Sequence, residues 1–333
     1  MSANCCVVIA VAICIAVTLG GCGGDGGDKP KPSDDGGAIF FASLNSHDLV
    51  RLDHCGDNGC DSPVVIATNL SAYGGLVPWD GSLLAALASG RVVQVNAWCK
   101  DSSCPVSTVV DVASALGPGD HGSFYIAGMT WCNSSLFIAF GGQSAVTGVL
   151  RCANCKLGAD CTNSCSLVNG GAEPGNGTHQ LSAFVADIAC LDDTVLVADN
   201  SNFRVQAIPT SCMSAPCNVQ TFTTGLKYPL GLAVVDNGKW VLVTLDEGIV
   251  SLRPQGMVQS DSWSNLGDCG YLVEASGRIW AASGGNGNIV SFDLACGGPN
   301  CTFTTVWNCS GTTARAGSAI AYLPYQQTHL AVI

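Results

Sequence analysis

Short apolar runs that stop at Gly, Asp or Asn recur along the whole chain, and none shows the 3.6-residue spacing of a helix. One unit reads Ala38-Ile39-Phe40-Phe41-Ala42-Ser43, then Asp48-Leu49-Val50-Arg51-Leu52-Asp53, then a short Cys55/Cys60 loop and Pro63-Val64-Val65-Ile66. Another, Arg278-Ile279-Trp280-Ala281-Ala282-Ser283, Asn288-Ile289-Val290-Ser291-Phe292-Asp293, a Cys296/Cys301 loop and Phe303-Thr304-Thr305-Val306, follows it nearly in register. Four further units begin their second strand near Leu84, Phe137, Leu196 and Val241, so that strand recurs at spacings of 44, 53, 59, 45 and 39 residues. A leading apolar stretch closes each unit at a turn such as Asp80-Gly81, Asp192-Asp193 or Asp236-Asn237-Gly238. Four strands per unit at roughly 40 to 50 residues predict an all-β fold, a β-propeller of four-stranded antiparallel blades.

The first unit lacks its leading strand, and Gly317-Ser318-Ala319-Ile320-Ala321-Tyr322-Leu323 has the pattern of the missing one. The two ends of the chain are therefore expected to join in one blade, which gives six blades over residues 38–333. His329-Leu330-Ala331-Val332-Ile333 reads as a further second strand and leaves seven blades open.

Composition supports this reading. Charged residues make up 11% of the 333, well under the usual ~25%, while 41 glycines and a 47% hydrophobic fraction suit short strands and tight turns rather than disorder. The net charge is -12, with no Lys/Arg cluster, so nucleic acid is excluded as a partner.

Residues 1–22 form a leader: Cys5 to Val17 is almost wholly apolar, and small residues follow it. The run is shorter than the ~20 residues of a spanning helix, so any membrane contact falls to this segment alone. Leu19-Gly20-Gly21-Cys22 resembles the lipobox of bacterial lipoproteins, yet no Lys or Arg precedes the apolar run. A lipid anchor, full secretion and an uncleaved signal anchor all stay open. Residues 23–37 hold no core-forming side chain and read as a flexible tether.

Twenty cysteines fit an exported protein with a disulfide framework better than a metal protein. The close pairs Cys55/Cys60, Cys99/Cys104, Cys212/Cys217 and Cys296/Cys301 are expected to pin hairpins. Cys152, Cys155, Cys161 and Cys165 crowd one loop without revealing their pairing, and Cys132, Cys190, Cys269 and Cys309 would have to pair across repeats. Sequons at Asn69, Asn133, Asn176, Asn300 and Asn308 agree with a secreted glycoprotein.

Leu196-Val197-Ala198-Asp199-Asn200-Ser201-Asn202-Phe203-Arg204-Val205-Gln206 and Tyr228-Pro229-Leu230-Gly231-Leu232-Ala233-Val234-Val235-Asp236-Asn237-Gly238 resemble the two halves of the NHL repeat. In that repeat a Pro-Gly-apolar-Ala-Val-Asp strand precedes a Val-Ala-Asp hairpin with Asn and Arg-Val. The resemblance implies a six-bladed NHL-like propeller, a fold used mostly to bind proteins or other ligands. Related six-bladed propellers include calcium-dependent lactonases or esterases and a zinc-dependent amidating lyase.

In a propeller the loops from second to third strand, and those between blades, open on one face beside the channel. They carry His47, Asp48, Asp199, Asn200, Asp246 and Glu247, together with Asp120, His121 and His179. These are the candidate ligand-binding residues: imidazoles suit zinc, carboxylates and amides suit calcium. The same runs read as hairpin turns whose side chains bond their own backbone, and none has metal-ligand spacing. Glu274 and Asn133 are the polar residues nearest the channel on first strands, and both sit close to turns. Trp79, Trp98, Trp131, Trp240, Trp263, Trp280 and Trp307 fall about one per blade, as inter-blade packing or as a glycan platform. No Gly-x-Ser-x-Gly elbow or phosphate loop is present. The expectation is a monomeric, exported binding module for a protein, small-molecule or glycan ligand. The alternative is a calcium- or zinc-dependent hydrolase, lactonase or lyase.

Overall fold

The structure is a computed structural model. It describes residues 37–43, 46–54, 60–70, 72–119, 121, 123–142, 146–156, 158–171, 175–177, 180–246, 248–256, 258–264, 269–275, 277–283, 288–293, 304–307 and 316–323. Residues 1–36, which hold the leader and all but the last residue of the tether, and residues 329–333 lie outside them, as do His179, Glu247, Asp120, Cys55, Cys296, Cys301 and Cys309.

Six four-stranded antiparallel sheets form the blades of a propeller. The first holds β1 (Ala38–Ser43), β2 (Leu49–Leu52) and β3 (Val64–Ala67). Then come β4 (Ala72–Trp79) to β7 (Val106–Asp111), β8 (Tyr125–Cys132) to β11 (Cys165–Gly171), and β12 (Val185–Leu191) to β15 (Gln220–Thr224). The fifth blade runs from β16 (Leu232–Val235) to β19 (Val258–Ser264), and the sixth from β20 (Cys269–Ala275) to β23 (Thr304–Trp307). The last strand, β24 (Ala316–Leu323), returns to blade one and lies inside β1, with Ala38 opposite Leu323 and Phe41 opposite Ile320. The ring closes as its terminal repeats indicate, with six blades.

The inner strands are largely apolar because they are buried on both faces, whereas the outermost strands β7 and β15 are partly exposed and more polar. In β1, Ala38, Phe40 and Ala42 pack toward blade two, while Ile39 and Phe41 pack toward blade six. The same alternation produces one buried cluster at each of the six blade junctions. A strand with two dry faces carries a continuous hydrophobic run, and this accounts for the low charge of the chain. Trp79 and Trp131 stack at 5.1 Å between blades two and three, and Trp98 meets Phe40 edge-on at 6.3 Å.

Every blade has a register shift between its third and fourth strands. Such bulges raise the local twist, and a blade must twist steeply from channel to rim. The turn chemistry is equally regular. Asp80 and Gly81 join Trp79 to Ser82 with φ of 45° and 72°, and Asn133 and Ser134 join Cys132 to Ser135 with φ of 48° and 61°. Positive φ at both central residues matches the strand twist in a two-residue hairpin and favours Asn, Asp and Gly there. One helical turn, α1 (Val112–Ala115), capped by the Asp111 carboxylate, leads from blade two to blade three.

Disulfides join Cys99 to Cys104 and Cys212 to Cys217 inside hairpins, and Cys60 is bridged as well. Cys152 pairs with Cys165, its opposite number across the β10 (Thr147–Ala153) to β11 ladder, and Cys155 with Cys161 in the loop between. Cys132 pairs with Cys190, tying the innermost strands of blades three and four. Among the described residues no helix is long and apolar enough to cross a membrane.

Candidate functional site

The innermost strands β24, β4, β8, β12, β16 and β20 surround the axis. Tyr271, on β20, crosses that axis. Its hydroxyl donates to the Ala127 carbonyl at 2.7 Å, with the Ala186 carbonyl 3.3 Å away, so a side chain from blade six reaches blades three and four on the far side. Burial, followed by the nearby Asp187 and Tyr125, holds this phenol well above its ordinary pKa, so it stays a donor at any working pH.

Tyr271 forms a wall of two separate cavities. The first, about 320 Å³, opens on the face of the second-to-third and inter-blade loops and is lined by Ala88, Tyr125, Phe184, Leu230 and the first residues of β8 and β12. Tyr125 is held in place by its own donation to the Val185 carbonyl at 3.2 Å and leans on Phe184 at 5.9 Å. This mouth is apolar. The second cavity, about 360 Å³, lies beyond Tyr271 and takes wall from all six innermost strands, ending near the first-to-second-strand turns at Pro78, Cys190, Val234 and Glu274.

Asp187 lines that inner chamber from the middle of β12 and is 6% exposed. Its Oδ2 accepts the Leu232 N–H at 2.8 Å, and the Ile188 N–H also serves the carboxyl. Gly128 makes room for it, since a Cβ there would strike Asp187 Oδ1. Burial outweighs those two donors and pushes the carboxyl up to about 7. Glu274 lines the same chamber, and its Oε2 accepts the Asp236 N–H of the neighbouring blade at 2.8 Å.

The rim residues singled out by sequence are placed differently. Asp199 is fully buried; its carboxylate accepts the Ser182 N–H at 2.8 Å, the Asn202 amide at 2.8 Å and Arg204 Nε at 2.7 Å. Arg204 goes on to donate to the carbonyls of Asn176, Gly177 and Gln180, and Asn200 donates to the Pro229 carbonyl at 3.0 Å. The stretch that resembles the NHL repeat therefore works as a latch between the blade-four turn and its neighbouring loops. His121 meets the Gly117 carbonyl at 2.8 Å, and His47 sits at φ 57° with its carbonyl receiving the Leu70 N–H. Asp48 follows it at the entry to β2, and Asp246 lies in the turn after β17 (Trp240–Leu245). Asn133 donates to Asp193 and Thr210 across the blade three to four junction, at 2.7 and 2.8 Å. Among the described residues no three His, Cys, Asp or Glu side chains are grouped as a metal site needs.

Sequence reading missed Asp187 and Tyr271. The available signal was a carboxylate in mid-strand, inside the apolar run Val185-Ala186-Asp187-Ile188-Ala189-Cys190-Leu191, where no turn accounts for it.

No protein-family model matches the chain, and no curated protein matches it. Among solved structures, a chain from the crystal structure of a nidogen/laminin complex superposes with a TM-score of 0.61 at 11% identity, covering 86% of this chain and 98% of that one. A functionally unknown protein from Desulfotomaculum acetoxidans DSM 771 aligns with a TM-score of 0.50 at 9% identity, over 86% and 98% of the two chains. At such identities the likeness is one of fold, a six-bladed β-propeller.

Proposed function

We propose that this propeller is an exported, protein-binding module that recognises its partner with the apolar mouth of the channel. One observation carries the reading: exposed aromatic side chains continue the mouth across the loop face. Phe184, at its edge, is 43% exposed, and Phe203 and Tyr228, edge-to-face at 5.0 Å, are 42% and 41% exposed. Backbone bonds link them: Asn200 N–H to the Phe184 carbonyl, Phe203 N–H to the Asn200 carbonyl, and Leu226 N–H to the Phe203 carbonyl. A patch of rigid aromatics around a preformed apolar pocket is the usual anatomy of an interface centre.

Two further points support it. The nidogen/laminin complex contains a chain of this fold, so the architecture is at home in a protein assembly. The NHL-like stretches suggest the same use, their Asp199–Arg204 pair flanking the exposed Phe203. Export rests on the disulfides, which persist in oxidising compartments, and on the apolar leader.

Displayed peptides selected on the immobilised protein are expected to carry Leu, Ile or Phe anchors. The paired change Phe184→Ser and Phe203→Ser should weaken the selected peptides by about tenfold or more. Val106→Ser, at an exposed apolar position on the outer strand β7 of blade two, should not. Undiminished binding to the double variant would overturn the reading.

A further inference from the structure

The inner chamber has a chemistry of its own. All six innermost strands contribute to its wall, and among the described residues no Lys, Arg or His lines it, while two carboxyl groups do, Asp187 and Glu274. Among the described residues each accepts from backbone N–H groups, and both line a wall of apolar side chains such as Leu76, Met129, Ile188 and Leu272. Burying a carboxylate without a cation is costly in an apolar setting. The chain retains Asp187 in mid-strand even so, and accommodates it with a glycine opposite on β8.

We propose that this chamber is a binding site for an alkylammonium group, entering from the face of the first-to-second-strand turns, past Glu274, and pairing with Asp187. An ammonium offers three donors and no acceptor, and the Asp187 carboxyl supplies acceptors deep in the chamber, while Glu274, seated on the Asp236 N–H just past the end of β16, lies nearer the entrance. The aliphatic wall suits the methylene stem that carries such a group. Calcium fits less well, because it needs six to eight oxygen ligands. At about 360 Å³ the chamber falls within the size range of small-molecule sites. Tyr271 closes its inner end, so the site is separate from the apolar mouth.

The pH dependence follows from Asp187. With the carboxyl near 7, it is mostly protonated at pH 5 and mostly ionised at pH 8, while an alkylammonium of pKa ~10 stays charged at both. Glu274, Tyr271 and Tyr125 are the other titratable groups around it. Affinity should therefore rise with pH over that interval, and binding near neutrality should release a proton.

Calorimetry with cadaverine tests this, with an uncharged diol of the same length, calcium chloride and a peptide bearing one internal lysine as further titrants. Saturable cadaverine binding, about tenfold weaker or more in Asp187→Asn, is the expected result. Phe184→Ser is expected to leave it unchanged, so the site can fail or succeed independently of the mouth. Binding of the lysine peptide as well would identify a protein side chain as the source; binding of cadaverine alone would identify a free amine. Should Asp187→Asn not fold, the proton release measured on the wild-type protein in buffers of different ionisation enthalpy decides the matter. Binding of the diol as tight as that of cadaverine, binding of calcium alone, or cadaverine heats without proton release would overturn the proposal.

Discussion

Deletion of residues 316–333 is expected to abolish cooperative unfolding and leave an aggregating chain. The loss is large because β24 is not a peripheral tail. It supplies the channel-side strand of blade one, pairing with β1 from Ala38↔Leu323 to Ser43↔Ala316. It also places Ile320 in the cluster that seals blade one to blade six. Without it β1 presents an open edge of unpaired N–H and C=O groups, the arrangement most prone to strand addition by another copy. Ile39 and Phe41, both now almost fully buried, would face water on one side. A domain of marginal stability, roughly 5 to 15 kcal/mol in all, has no reserve for the loss of a whole inner strand. Gel filtration and a thermal melt would show it. A soluble monomer melting at the full-length temperature would contradict the closure.

Replacing Cys132 and Cys190 together by serine should lower the melting temperature by roughly 8 °C, the second large effect. The bridge closes a loop of sequence separation 58, for which the chain-entropy argument gives about 4 kcal/mol. Cys99–Cys104 closes a separation of only 5, for which the same argument gives about 2 kcal/mol. Serine suits the site, since the Asp192 and Thr194 carbonyls already surround Cys132 and would accept its hydroxyl. Scanning calorimetry of both double variants supplies the comparison. Equal effects of the two pairs would mean that Cys132 and Cys190 do not staple neighbouring blades.

The wheel was legible because its strands carry the same message six times. A run such as Leu83-Leu84-Ala85-Ala86-Leu87 faces a neighbouring blade on each side, so it is apolar without alternation, and the Asp or Asn turn that precedes it recurs wherever φ must be positive. Closure was legible because blade one lacked an inner strand and residues 317–323 had nowhere else to go. The pairing of Cys152 with Cys165 was not legible, because it depends on the register of β10 against β11 across a connection that also holds a 3-10 turn over Thr162–Ser164. The channel was harder still. Polar residues in loops draw attention as ligands, yet Asp199 and Asn200 turn inward to bond neighbouring loops. Asp187 and Tyr271 sit in ordinary-looking strands, and only the ring geometry brings residues 84 positions apart to one axis.

The mouth and the chamber both depend on a ring joined by its two ends. Hydrogen exchange followed by mass spectrometry on peptides spanning Ala316–Leu323 and Ala38–Ser43 tests that joint directly. Both segments should be protected, and both should exchange only through the same global opening of the protein. Free exchange of Ala316–Leu323 while Ala38–Ser43 stays protected would show that the wheel is not closed there.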